Sequence, residues 1–178
     1  MNKEMQKRLG TFIGTDILVS IYCDSDEPDS FTLGYLLQMN NDDILINMIN
    51  SFGEENGFCT IKVNDIFIFD EDKMYSEKMQ KLFAIKNQKR KYVTDVDTNP
   101  IVVLLKYAVD NNLLVEVNED DDYRGYVSYF SAETLVLKII DSYSNDMGTA
   151  TIDMEYINTL KCQNKYLKDL ELLCDRNE

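Results

Sequence analysis

The sequence lacks the side chain that enzymes most often use for acid–base catalysis. It contains no His, which excludes a Ser-His-Asp or Cys-His nucleophile and a His-ligated metal. Neither a G-x-x-x-x-G-K-[ST] loop nor a G-x-G-x-x-G turn is present. We therefore assign no catalytic residue, no metal and no cofactor, and we expect a protein that is not an enzyme. The four Cys form no C-x-x-C pair, which favours reduced thiols: Cys23, Cys59, Cys162 and Cys174.

Carboxylates dominate the charged side chains. The 178 residues include 32 Asp and Glu against 18 Lys and Arg, a net charge of -14. Two acidic runs, at residues 24–29 and 119–122, offer the oxygen ligands that Ca²⁺ prefers, but neither has the spacing of a calcium-binding loop. We expect solvated loops there. The alternative is an acidic face that resembles nucleic-acid phosphate and occupies a basic partner.

Aromatic side chains are the best candidates for contact with a partner. Phe52 and Tyr143 each follow a Ser and stand at equivalent places in an internal repeat. An exposed ring on a long loop can anchor a protein or stack on a base, whereas a ring that folds back would cap its own unit. Tyr129 is the third candidate. Side chains of the predicted strand 123–130 alternate between the two faces of the sheet, which allows Tyr129 to face solvent.

A basic cluster interrupts the acidic chain at its midpoint, with Lys86 followed by Lys89, Arg90 and Lys91. These cations can meet phosphate or an acidic protein face. The alternative is that they neutralise neighbouring carboxylates or keep a linker soluble. We include Lys89, Arg90 and Lys91 with the three aromatic residues as candidate partner-binding residues.

The strongest organisational signal is an internal repeat with an offset of 91 residues, which indicates a duplication. Glycine, aromatic and apolar positions recur in the same order without a gap from residue 33 to residue 82. Matched segments include Gly34-Tyr35 with Gly125-Tyr126, Ile49-Asn50-Ser51-Phe52 with Ile140-Asp141-Ser142-Tyr143, Gly57 with Gly148, and Thr60-Ile61 with Thr151-Ile152.

Each copy is predicted to contain a short helix, five strands and a closing helix. The helices are predicted at 3–9 and 73–85 in the first copy and at 101–111 and 164–174 in the second. The strands of the first copy are predicted at 17–22, 31–39, 43–49, 58–63 and 66–69. Those of the second are predicted at 113–118, 123–130, 134–140, 149–154 and 157–160. This order divides the chain into a first repeat at 1–85, a linker at 86–98 and a second repeat at 99–178.

A helix followed by five short strands resembles the Sm-like small barrel, a variant of the SH3-like roll. We therefore expect a mainly β protein with flanking short helices, made of two tandem SH3-like or Sm-like barrels. The resemblance includes a Gly in the second strand, met by Gly34 and Gly125. It does not include the family's base-binding Asp and Asn, because Asn40 and Ser131 occupy the first position. Ile44 and Leu135 occupy the second, and the Arg-Gly or Lys-Gly pair of the fourth strand is absent.

These observations predict an interaction module that binds a protein partner through its loops or its acidic face. The alternative is RNA or other nucleic-acid binding in the manner of the Sm-like family, which the negative charge disfavours. No apolar run approaches the roughly 20 residues of a membrane span, and no signal peptide is evident. We expect a cytoplasmic monomer or homodimer without membrane contact.

Overall fold

The computed structural model describes residues 1–27, 29–93, 95, 99–118 and 123–174. Its first half contains two helices, five strands and a 3-10 turn. They are α1 (Lys3–Gly10), β1 (Leu18–Tyr22), β2 (Thr32–Met39), β3 (Asp43–Ile49), β4 (Glu55–Lys62), a 3-10 turn (Val63–Asp65), β5 (Ile68–Asp70) and α2 (Lys73–Ile85).

The second half contains the same kinds of element in the same order. They are α3 (Pro100–Asp110), β6 (Leu114–Val117), β7 (Tyr123–Phe130), β8 (Thr134–Ile140), β9 (Asp146–Asp153), a 3-10 turn (Met154–Tyr156), β10 (Thr159–Cys162) and α4 (Lys165–Cys174). Strands β7, β8 and β9 begin and end 91 residues after β2, β3 and β4. The ladders of both halves also shift register at equivalent places, between Leu36 and Gln38 and between Val127 and Tyr129.

The ten strands are antiparallel and form one open sheet. Their order is β5-β1-β2-β3-β4-β10-β6-β7-β8-β9. The expected mainly β class with short helices is therefore confirmed, but the strands do not close into two separate barrels. Strand β4 instead pairs with β10 from the other half. This pairing satisfies backbone N–H and C=O groups that an edge strand leaves open.

The fourth strand of each half begins earlier than the sequence predicts. We expected a loop as far as Gly57 and Gly148, whereas β4 starts at Glu55 and β9 at Asp146. Each Gly lies at a bulge within its strand and has a positive φ, 76° for Gly57 and 89° for Gly148. A Gly of this kind permits a bulge without ending the strand, so its use as a loop marker was wrong here.

Helix α3 covers the junction between the two halves. Asn99 caps it by accepting hydrogen bonds from the Ile101 and Val102 N–H groups, and Pro100 occupies the first turn. Buried Leu104 belongs to a core cluster that also includes Phe58 from the first half. In the outer layers, α2 packs Met79 on the first half, and α4 packs Leu167 and Leu170 on the second. Among the described ranges, no helix is long and apolar enough to cross a membrane.

Gly57 and Gly148 provide a matched test of the pairing between β4 and β10. A Cβ at Gly57 would overlap the carbonyl oxygens of Cys162 and Gln163, whereas a Cβ at Gly148 meets nothing within 4 Å. We expect Gly148→Ala to cost about 1–2 kcal/mol for its positive φ. Gly57→Ala should cost about 1–3 kcal/mol more because of the overlap. Urea unfolding of both variants measures the difference, and equal costs would contradict the close approach of the two halves.

Candidate interaction surfaces

Phe52 stands at the tip of a tightly hydrogen-bonded loop between β3 and β4. The Asn50 side-chain oxygen accepts hydrogen bonds from the Phe52 N–H at 2.9 Å and the Glu54 N–H at 3.0 Å. Gly53, next to Phe52, packs against Leu82 of α2 so closely that a Cβ would overlap it. The loop backbone is therefore fixed, while the Phe52 side chain remains 67% exposed.

The equivalent loop between β8 and β9 is built in the same way. The Asp141 carboxylate accepts hydrogen bonds at 2.8 Å from the N–H groups of Tyr143 and Asn145. Together with the Asn145 side chain, these bonds hold the pKa of Asp141 below its usual range. The Ser144 hydroxyl donates to the Leu170 carbonyl of α4. Tyr143 is 78% exposed, so both rings point into solvent and neither caps its own half.

Arg90 of the basic midpoint lies inside the fold. Its guanidinium carbon is 4.7 Å from the ring centre of Tyr35 and 4.8 Å from that of Tyr92. Its Nη1 atom donates to the Thr15 carbonyl at 2.7 Å and contacts Asp16 at 3.2 Å. The side chain is only 8% exposed. Arg90 therefore fastens the segment after α2 to the first half.

Lys91 joins the two halves, whereas Lys89 is exposed. The Lys91 N–H donates to the Asn47 side chain at 3.1 Å, and its ammonium donates to Gln163 at 2.7 Å. The same ammonium lies 3.3 Å from the Glu55 carboxylate. Two of the three cations that the sequence suggested for a partner thus make contacts within the chain.

Glu55 is the centre of a polar network at the junction of the halves, which we call the Glu55 seam. Its carboxylate contacts the ammonium groups of Lys91 at 3.3 Å and Lys168 at 3.2 Å. It also accepts from the Asn47 amide at 3.1 Å and the Gly57 N–H at 2.7 Å. The side chain is 7% exposed, so these partners replace most of its water.

The remaining sequence candidates lie apart from the seam. Tyr129, on β7, is 58% exposed. In the first acidic run, the Asp24 carboxylate accepts from the N–H groups of Asp26 and Glu27 and so closes its own loop. The second acidic run, 119–122, lies outside the described residues. Over the part of the chain that is described, no group of three Cys, Asp or Glu could hold a metal ion.

The positions that hold base-binding residues in the Sm-like family have structural roles here. The Asn40 side chain accepts from the N–H groups of Asp42 and Asp43 and closes the turn between β2 and β3. Ser131 does the same in the turn between β7 and β8. Ile44 and Leu135 are fully buried. None of these four side chains presents a polar group to a base.

The sequence does not predict an aromatic cluster that lies beside β5. The Tyr22 and Phe31 ring centres are 5.3 Å apart, and Tyr75 lies 5.7 Å from Phe31. Phe67 completes the group, and its ring is partly exposed, as is that of Phe31. These residues come from different elements and have no linear spacing, so only the fold brings them together. Burial raises the pKa of Tyr22, and the nearby carboxylates of Asp70 and Asp72 raise it further.

None of the resolved pKa shifts among the described Cys and Tyr side chains activates a nucleophile. Burial raises the pKa of the Cys162 thiol to about 12. Desolvation and the Asp65 carboxylate raise that of Cys23 to about 11. Burial likewise raises the pKa of the Tyr35 and Tyr107 phenols. At neutral pH these groups stay protonated, which suits packing and hydrogen bonding rather than covalent catalysis.

The Glu55 seam should contribute measurably to stability. Glu55→Ala removes the ionic partner of Lys91 and Lys168 and the acceptor of the Gly57 N–H, while the Asn47 amide keeps the Gly57 carbonyl and Lys91 keeps Gln163. We expect a loss of about 2–3 kcal/mol, less than for a fully buried pair because both lysines are more than one-third exposed. The control is Asp146→Ala at the equivalent, exposed position of β9, which should leave the urea midpoint nearly unchanged. A similar response of both variants would contradict a stabilising seam.

Thiol accessibility tests the same junction independently. At pH 8 the folded protein should leave Cys162 unmodified by iodoacetamide, because the thiol is buried and its pKa is about 12. Half-buried Cys174 should react under the same conditions. Peptide mapping by mass spectrometry measures both sites, with urea-unfolded protein as the control in which both react. Equal labelling of the two in the folded state would mean that β10 leaves β4.

Comparisons of the chain with protein-family models, with curated proteins and with solved structures found no match. The Sm-like resemblance therefore rests on the order of helices and strands and on the positions of Gly34 and Gly125.

Proposed function

We propose that the chain is a non-enzymatic interaction module that binds a protein partner through the loops carrying Phe52 and Tyr143. The observation that carries this proposal is the repeated design of the two loops. In each, a side chain at the equivalent position, Asn50 or Asp141, fixes the backbone, and the aromatic ring two residues later stays in solvent. A large exposed ring adds little to the fold, since among the described residues the one ring contact of Phe52 or Tyr143 is that of Phe52 with the Lys86 ammonium, 6.0 Å from the ring centre. Its rigid loop lowers the entropic cost of binding a partner.

The negative charge favours a partner with a basic surface. The net charge of -14 provides a long-range attraction for such a protein and repels nucleic acid. The basic midpoint adds little against this field, because Arg90 and Lys91 are engaged within the chain. An accessory or inhibitory role on a basic, nucleic-acid-binding protein is the function that we infer.

The repeated loops also lead us to interpret the chain as a duplication of one small barrel-like unit of Sm-like or SH3-like type. The equal offsets of β2 to β4 and β7 to β9 support this interpretation. The interpretation keeps RNA binding as the alternative function, since exposed Phe52 and Tyr143 rings are able to stack on bases. The capped turns at Asn40 and Ser131 and the negative charge disfavour that alternative. A cytoplasmic location and a monomeric or homodimeric state complete the proposal.

A tagged pull-down from native lysate, with and without nuclease, separates the two functions. We expect a stoichiometric protein that is retained after nuclease treatment. The double variant Phe52→Ala/Tyr143→Ala should reduce its capture at least 10-fold. The melting temperature should stay within about 2 °C of the parent, because exposed side chains contribute little to folding.

The matched control for the double variant is Met74→Ala, which removes an exposed apolar side chain from α2 and should not change the capture. Recovery of RNA without a protein, with binding that falls steeply as salt is added, would replace the protein-binding proposal by the RNA-binding one. A large fall in the melting temperature of the double variant would mean that the rings serve packing instead.

A further inference from the structure

The junction of the two halves provides an example of a strand bound along the outer edge of β4. Strand β10 pairs antiparallel with β4, with Thr159 opposite Ile61 and Cys162 opposite Phe58. The Leu160 N–H also donates to the Thr60 hydroxyl at 3.1 Å. The edge of β4 is thus covered by a four-residue strand from the other half of the chain.

Strand β9 repeats the β4 edge, but in the described chain no strand pairs with its outer side. It has the same bulge, with Gly148 in the place of Gly57, and Thr151 stands in the place of Thr60. The carbonyl oxygens that crowd Gly57 come from Cys162 and Gln163, and nothing comparable lies within 4 Å of Gly148. The space that β10 occupies beside β4 is therefore open beside β9.

The backbone of β9 presents hydrogen-bonding groups to this space. Just beyond the strand, the Met154 N–H donates to the Glu133 carbonyl and so points towards β8. Because successive residues of a strand point their N–H groups to opposite sides, those of Thr149 and Thr151 point outward. Both residues are exposed, whereas their equivalents in β4 are buried under β10 and α3.

The charges of the seam indicate which occupant suits β9. On the β4 side the seam carries Glu55, and on the side of β10 and α4 it carries Lys168. The β9 edge carries a carboxylate at each end. Asp146, which pairs with Lys138, stands in the place of Glu55, and Asp153 stands in the place of Lys62. Hydrogen bonding from the Gly148 N–H and the charge of Lys138 hold the pKa of Asp146 below its usual range.

The far end of the sheet does not supply a matching strand. Strand β5 and helix α2 correspond to β10 and α4 at the offset of 91 residues. At the matching positions, Asp70 takes the place of Lys161 and Glu77 takes the place of Lys168. A second copy that offered β5 and α2 to β9 in the register of the seam would set Glu77 against Asp146, where the seam has Lys168 against Glu55, and would place Asp70 opposite Ala150. The like-charge pair of Glu77 and Asp146 disfavours a second copy as the occupant and favours a basic segment from another protein.

We propose that the outer side of β9 binds an extended, lysine- or arginine-containing segment of a partner protein as an added antiparallel strand. The outward backbone groups of Thr149 and Thr151 give the hydrogen bonds, and Asp146 and Asp153 select the basic side chains. This inference deepens the proposed function and rests on it, because it names the chemistry of the partner segment.

The probe for this site is a synthetic peptide of residues 159–168 carrying Cys162→Ser, since that segment is the strand that β4 already binds. Titration into the full chain should give saturable 1:1 binding. Thr151→Pro removes an outward N–H and leaves the bonds to β8 intact, so it should weaken binding at least 10-fold. The control Thr151→Ala keeps the N–H and should change the affinity no more than 2-fold.

Two further measurements use the parent chain and do not depend on how the proline variant folds. On peptide binding, the Thr149 and Thr151 amides should become protected from hydrogen exchange, while protection of β10 stays unchanged. A peptide with Lys161→Glu, Lys165→Glu and Lys168→Glu should bind at least 10-fold more weakly. Loss of β10 protection would overturn the proposal, because it indicates that the peptide replaces β10 beside β4. Equal binding of both peptides would also overturn it.

The outcomes also separate this inference from the proposed function. If Phe52→Ala/Tyr143→Ala abolishes partner capture but the peptide does not bind β9, the loops bind the partner and the edge proposal is wrong. If the peptide binds β9 but no partner depends on the loops, the proposed function fails and the edge remains a site for basic segments.

Self-association of the full chain in sedimentation, abolished by Thr151→Pro, would assign the edge to a second copy instead. Binding of a uridine-rich RNA that competes with the peptide would overturn the choice of a protein partner.

Discussion

The Glu55 seam is the constraint on which the arrangement of the two halves depends. Antiparallel strands supply the backbone bonds between β4 and β10, but such bonds specify neither which strand pairs nor in which register. The buried carboxylate of Glu55 adds to that specificity, because the observed register brings Lys168 of the second half to it, beside Lys91. The bulge at Gly57 allows the close approach that the pairing needs. The charge of Glu55 and the absence of a side chain at Gly57 thus act together with the apolar core under α3 to continue the sheet from one half into the other.

This arrangement leaves the two halves with unequal surroundings despite their matching elements. In the first half, the outer side of the fourth strand, β4, is paired and that of the fifth strand, β5, is open. In the second half, the fourth strand, β9, is open and the fifth strand, β10, is paired on both sides. The aromatic cluster of Tyr22, Phe31 and Phe67 accordingly lies beside the open β5, whereas the equivalent strand of the second half, β10, is paired with β4. Equivalent residues can therefore have different roles, and charge is where they differ most.

Much of the local structure is predictable from the sequence, because turn residues and alternating apolar positions mark the strands. Strands 43–49 and 134–140 have the predicted bounds, and Asn99-Pro100 marks the start of α3. The seam was not predictable, because Glu55 and Lys168 are over a hundred positions apart and no local pattern relates them. Arg90 was misleading for a similar reason: a Lys-rich run suggests a solvent-exposed surface, and only the fold reveals the rings of Tyr35 and Tyr92 on either side of it. The exposure of Phe52 and Tyr143 likewise depends on hydrogen bonds within each loop rather than on hydrophobic pattern.

The clamp around Arg90 has a consequence for how the two halves find each other. By holding the start of the connecting segment on the first half, it shortens the tether that leads to the second. A shorter tether raises the effective concentration of β10 near β4. The β4–β10 pairs, the Glu55 seam and the apolar packing of α3 on Leu45 and Phe58 therefore form within one molecule. Cutting the tether would convert a unimolecular equilibrium into a bimolecular one, and the association of the halves would become dependent on dilution.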